Sequence, residues 1–218
     1  MKASDIHPVI DALSKAAPSS NVPAVTLVAE TSHDPFRVLI STVLSLRTKD
    51  ETTAAASRRL FALAGNPADM LRLGEDEIAR AIYPVGFYRV KARNVLDICR
   101  TLVESYGSRV PDDLDELLKL KGVGRKTANL VLTLGYNKPG ICVDTHVHRI
   151  SNRLGYIKTK YPFDTEMALR KKLPPKYWIA YNSLLVAFGQ HLCKPVSPMC
   201  TLCPVSGWCD RVGVGKSR

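Results

Sequence analysis

The chain has no run approaching the ~18 consecutive apolar residues of a transmembrane helix, which argues against a membrane-spanning class. Its first residues, MKASDIHPVIDALSKAAP, carry an acidic Asp5 and no apolar h-region, so they do not read as a secretory signal. A cytoplasmic location and no membrane partner are the expectation. Alternating strand-like runs joined by hairpin turns are missing, and no internal repeat is found. Cysteine is sparse over most of the length, since four of the six lie in the last 26 residues. Without secretion, disulfides have no oxidising compartment to form in, which leaves core or metal roles. Acidic residues also thin out. Residues 139–218 hold only four acidic side chains against twelve basic, a net of +8, whereas 1–138 hold sixteen against nineteen.

What is present suits a helical protein that meets a polyanion. At 218 residues, 45% apolar and 23% charged, the chain can bury one substantial core or two smaller lobes. Its net charge of +11 favours a nucleic-acid partner, because Lys and Arg neutralise phosphates. Nearly every patterned segment has helical period. Val95, Ile98, Cys99, Leu102, Val103 and Tyr106 form one stripe, and Tyr181, Leu184, Leu185, Phe188 and Leu192 form another. Helix starts are expected at Asp34-Pro35, Asp50, Asp112 and Asp164, with breaks at Gly65-Asn66-Pro67, Pro84-Val85-Gly86, Gly107, Gly122 and Pro174-Pro175. The expectation is an all-α fold of about ten short helices, with a Gly-rich basic tail, VGVGKSR, that frays.

Three motifs carry chemistry. The first is LKGVGRKTANLVLTLG: Leu114, Leu117 and Leu118 ahead of it and its own Leu120 close one helix, and Thr127 to Leu134 open the next. Between them Gly122-Val123-Gly124 makes a turn too tight for an ordinary loop; its glycines permit positive φ and close backbone approach. Amides exposed at the following helix start would suit a phosphate, with Val123 plugging the hairpin into the core and Arg125 adding charge. The second motif is Cys193-x6-Cys200-x2-Cys203-x5-Cys209. Four thiolates this close suit one tetrahedral sulfur site, and spacing alone leaves zinc and an iron–sulfur cluster both open. Cys99, on its apolar stripe, reads as core, and Cys142 as buried. In the third, GICVDTHVHRISNRLGY, Asp144 stands at an N-cap ahead of a Val143, Val147, Ile150, Leu154 stripe. His146 and His148, two apart, cannot share a helix face as paired ligands; hydrogen bonding or DNA contact suits them better.

LKGVGRKTAN, VDTH and the cysteine spacing, in this order, resemble the endonuclease III family of DNA glycosylases in the helix-hairpin-helix superfamily, over about Pro35 to Cys209. The resemblance implies two helical lobes: a six-helix barrel over 28–138, and a second lobe pairing 1–27 with 139–218. It selects a 4Fe-4S cluster for Cys193, Cys200, Cys203 and Cys209, organising a loop in which Lys194 and Arg211 are candidate DNA contacts. It places Lys126 at the nucleophile and Asp144 at the catalytic aspartate. The implied protein is a monomeric, nucleoid-associated enzyme of base excision repair. It would remove oxidised pyrimidines from double-stranded DNA and cut 3′ to the abasic site by β-elimination. Lysine suits that chemistry, since only a primary amine forms the Schiff base that labilises the strand.

One departure from the family pattern stands out. In LSLRTKDE, Arg47 occupies the position where a glutamine usually fills the space left by the flipped base, and in VGFYRVKARN Phe87 takes a wedge position commonly held by leucine. Two other readings remain. A monofunctional mismatch glycosylase is opposed by Lys126, which those relatives generally lack. A non-catalytic iron–sulfur DNA-binding protein would give no borohydride-trapped adduct.

Overall fold

The computed structural model describes residues 1–16 and 23–218. Among them there is no strand, and twelve α-helices carry the fold. Two of these, α5 (Pro67–Met70) and α8 (Leu114–Leu118), are four- and five-residue pieces that sequence period cannot register. No described helix is long and apolar enough to cross a membrane. The chain divides into two compact units, Pro23–Gly140 and Met1–Val22 with Ile141–Arg218.

The first unit is organised around α3 (Pro35–Ser45), in which Val38, Leu39, Ile40, Val43 and Leu44 are all buried, with Ser41 and Thr42 between them. A helix buried all round needs neighbours on every side. α3 has them in α2 (Ala24–Ser32), α4 (Asp50–Leu63), α7 (Tyr88–Tyr106), α9 (Arg125–Leu130) and the π-helical turn Val131–Gly135. Asp34 caps α3 as expected, accepting from the Phe36 amide at 2.9 Å, with Pro35 at the first helical position. α6 (Glu75–Ile82) packs against α4 and α7. Along α7, Val95, Ile98, Cys99 and Leu102 are buried, and burial pushes the Cys99 thiol up to about 12. Val103 departs from the expected stripe and is exposed, because it lies at the edge of that face near the helix end.

In the second unit α1 (Ile6–Ala16) contributes Ile6, Val9 and Leu13 to a core shared with Val147, Ile150, Leu169, Leu185 and Phe188. Those come from α10 (Thr145–Arg153), α11 (Pro162–Lys172) and α12 (Trp178–His191).

Three helix starts differ from the expectation by one to three residues. Lys49 stands at the N-cap position of α4 without a side-chain capping bond, which leaves Asp50 in the first turn. Asp113, not Asp112, caps α8, accepting from the Asp115 and Glu116 amides at 2.9 and 3.1 Å, while Asp112 pairs with Lys138. α11 begins at Pro162, whose fixed φ starts the helix before Asp164 can cap it. The tail, expected to fray, is instead hydrogen-bonded to the rest of its unit. Arg218 N donates to the Pro198 carbonyl at 2.8 Å, Thr201 N donates to the Arg218 carbonyl at 3.0 Å, and Val212 N donates to the Arg153 carbonyl at 3.0 Å.

Candidate active site

The hairpin in the first unit is built by a short helix, a turn and a new helix start. α8 stops at Leu118, so Leu120 falls in the turn, where it is buried. Val123 N donates to the Leu120 carbonyl at 3.0 Å, and the Val123 side chain is buried in the core around α3. Full burial of a valine contributes about 1.5–3 kcal/mol, enough to anchor so short a turn. The two glycines serve different ends. Gly122 has φ +78°, and a Cβ there would come within 2.9 Å of the Asn94 side chain. Gly124 has φ −96° and caps α9, so the positive φ expected of both holds only for Gly122. Nothing lies within 4 Å of where a Gly124 Cβ would stand, which leaves open space above the amides at the start of α9.

Arg125 and Lys126 are the first two residues of α9 and are half-buried. The charge of Lys126 acts on Asp50, in the first turn of α4. Burial raises the Asp50 carboxyl above its ordinary range, and Lys126 opposes that rise. Asp50 was legible in the sequence only as a helix cap, because its relation to Lys126 spans 76 positions of chain.

Arg47 and Phe87 are brought together in the same unit. The Arg47 guanidinium lies 5.8 Å from the centre of the Phe87 ring, an arrangement of cation–π type. Both have left-handed backbones, with φ +54° for Arg47 and +59° for Phe87. Neither is glycine, so each conformation carries a local cost of about 1–3 kcal/mol. Phe87 is 63% exposed and Arg47 is exposed as well. Two strained turns thus present a cation and an aromatic ring to the outside.

Asp144, in the second unit, is the N-cap of α10. Its Oδ1 accepts from His146 N at 2.8 Å and Val147 N at 2.9 Å. The cap uses one of the two carboxylate oxygens. His148 Nδ1 pairs with the Thr165 hydroxyl at 2.7 Å, and His146 Nδ1 lies 3.2 Å from Arg149 Nη2. The Cys142 carbonyl accepts from Asn182 at 3.2 Å inside the core.

The four C-terminal cysteines line one cavity, walled by Ile150, Leu154, Phe188 and Val205. Among the described residues no group of three or more His, Cys, Asp or Glu side chains is placed to hold a metal ion. The sulfurs do sense one another: burial first, then the charges of neighbouring cysteines, push the Cys203 and Cys209 thiols up. N–H donors are aimed at them, from Arg153 Nη1 to Cys193 Sγ at 3.6 Å and from Arg211 N to Cys209 Sγ at 3.4 Å. Arg153 also donates to the Lys194 and Pro195 carbonyls, each at 2.6 Å, leaving the Lys194 side chain exposed. Donors directed at sulfur in an apolar cavity fit thiolates that bond a cationic group.

A sequence profile for the HhH-GPD superfamily of base excision DNA repair proteins matches residues 40–175. Endonuclease III of Thermotoga maritima is 52% identical over 188 residues, 85% of this chain and 88% of the relative. The chloroplastic endonuclease III homolog 1 of Arabidopsis thaliana is 44% identical over 80% of this chain, which spans only 48% of that longer protein. Among solved structures, a trapped endonuclease III–DNA covalent intermediate superposes with a TM-score of 0.85 at 34% identity, covering 97% of each chain.

Proposed function

Since the chain belongs to the endonuclease III family of the HhH-GPD superfamily, a DNA-binding family of glycosylases and abasic-site lyases in base excision repair, we propose how its own residues divide that work and which lesions it takes. The substrate is a duplex carrying an oxidised pyrimidine or an abasic site, bound by a monomer. Gly122, Val123, Gly124 and Arg125 hold a backbone phosphate through the amides at the start of α9. The damaged nucleotide leaves the stack, and Phe87 and Arg47 enter the space it vacates. Lys194 and His146 add contacts from the second unit.

Lys126 is the nucleophile. Its amine forms a bond to C1′ as the glycosidic bond breaks, and the base departs with the bonding electrons and takes up a proton. The nitrogen gives up one proton, the C1′–O4′ bond breaks with O4′ taking up a proton, and the nitrogen lone pair completes a protonated imine at C1′. The imine acidifies C2′, and removal of a C2′ proton expels the 3′ phosphate, which cuts the strand. Asp144 accepts a proton and offsets the cationic sugar in the transition state. Asp50 is the carboxylate on which the Lys126 charge acts in the free protein.

Cys193, Cys200, Cys203 and Cys209 would hold a 4Fe-4S cluster, whose thiolate bonds fold the 193–209 loop. Four cysteines lining one apolar cavity, with N–H donors aimed at Cys193 and Cys209, support a sulfur-bound group there. The observation that carries the catalytic reading is Lys126 at the second position of α9, directly after the hairpin turn. Borohydride added to enzyme and a thymine glycol duplex should give a covalent adduct. Lys126→Gln should give neither adduct nor nick while still binding the lesion duplex. An adduct that persists in Lys126→Gln would move the nucleophile elsewhere.

A further inference from the structure

One buried charge has no part in the scheme above. Lys91, on α7, is 5% exposed, and it stands in phase with the apolar residues Val95, Ile98 and Leu102. A lysine on a core-facing stripe is costly unless its ammonium is fully bonded. Here Nζ donates to the Leu44 carbonyl at 2.8 Å, the Leu46 carbonyl at 2.5 Å and the Thr48 hydroxyl at 3.1 Å. Those acceptors are the end of α3 and the turn that contains Arg47. The last carbonyls of a helix lack intrahelical partners and carry partial negative charge, so one ammonium satisfies both needs.

The bonding continues to the other exposed turn. The Thr48 hydroxyl oxygen also accepts from Gly86 N at 3.2 Å. Gly86 packs so tightly that a Cβ there would sit 2.7 Å from the Arg47 carbonyl oxygen. Lys91, Thr48 and Gly86 therefore tie the Arg47 turn to the residue just before Phe87, and the Arg47 guanidinium closes the arrangement over the Phe87 ring. Left-handed conformations at both Arg47 and Phe87 need such restraint, because strained backbones persist only where their surroundings hold them. Burial pushes Lys91 down to about 8, and the three oxygens around Nζ favour its charged form.

We propose that Lys91 is a positioning residue that holds the Arg47 and Phe87 turns in register, and through them sets how the enzyme treats the base opposite the lesion. The second half rests on the reading of Arg47 and Phe87 as the pair that enters the stack; the first half does not.

Two measurements separate them. Native protein is digested with trypsin well below the melting temperature of each variant, and cleavage after Arg47 is compared with cleavage after Arg72, whose side chain is 82% exposed. Lys91→Met should speed cleavage after Arg47 by about tenfold or more and Thr48→Val by less, with Arg72 unchanged. Equal acceleration at both sites, or none, overturns the positioning role, because a general loss of stability would open both. Excision of thymine glycol is then followed opposite each of the four bases. Lys91→Met should compress the spread of kcat/KM toward that of Arg47→Ala/Phe87→Ala, and should add nothing further in that background. A Lys91→Met enzyme with the wild-type ranking overturns the link to the opposite base. If Arg47→Ala/Phe87→Ala itself keeps the wild-type ranking, the stack-entering reading falls with that link, and the trypsin sites alone decide the hold.

Discussion

Asp144 caps α10, and the catalytic role proposed for it would need its charge as well, so the two can be separated. Oδ1 caps α10 through His146 N and Val147 N. Asp144→Asn keeps an Oδ1 acceptor and removes the charge, costing the interaction with the helix dipole, about 0.3–1 kcal/mol. Asp144→Ala removes the cap as well and should cost about 1 kcal/mol more. In a chain of this length ~1 kcal/mol moves Tm by roughly 2–4 °C. Against a stability of about 5–15 kcal/mol, neither loss leaves a measurable fraction unfolded at 25 °C. A fall in rate therefore cannot come from unfolding. If the charge acts in the transition state, single-turnover base release from a thymine glycol duplex should drop ~10²-fold or more in both variants, equivalent to about 2.7 kcal/mol. The signature is equal loss of rate with unequal loss of Tm. An Asp144→Asn enzyme within about threefold of wild type would refute the reasoning and leave the residue a cap alone.

The two hairpin glycines should respond in opposite ways. Gly122→Val meets both φ +78° and Asn94 and should destabilise by more than ~1 kcal/mol in urea unfolding, whereas Gly124→Val should unfold like wild type yet bind duplex DNA more weakly, because its side chain fills open space over the amides. Normal binding by a stable Gly124→Val would make the hairpin a connector only. Purified protein should be yellow-brown with about four irons per chain by metal analysis, and Cys203→Ala should lose the colour and fold in lower yield; one zinc without sulfide would reject the cluster. Duplex affinity should fall steeply from 50 to 200 mM salt, and a flat response would rule out phosphate neutralisation as its source.

The features readable in the sequence were those whose chemistry is local. Asp34 and Asp144 cap helices because an N-cap needs only its own side chain and the next three amides, and the apolar stripes around Cys99 and Tyr181 follow from helical period. The caps expected at Asp50, Asp112 and Asp164 moved because a neighbour competed for the start, through Pro162 for α11 and Asp113 for α8. The tail escaped prediction because its bonds to Pro198, Thr201 and Arg153 follow no helical period or cap pattern, and composition alone suggested fraying.

By itself the sequence determined the helical class, the hairpin with Lys126 two residues past its turn, the cap at Asp144 and the cysteine spacing, each a pattern within some twenty residues. Only the tertiary structure decided that Gly122 and Gly124 do different work, that the Lys126 charge acts on Asp50, and that Lys91 spans 47 positions to reach Leu44. Such roles depend on where a helix face lands against distant backbone. Lysine on a core stripe carries no sign of its acceptors until the chain has folded around it.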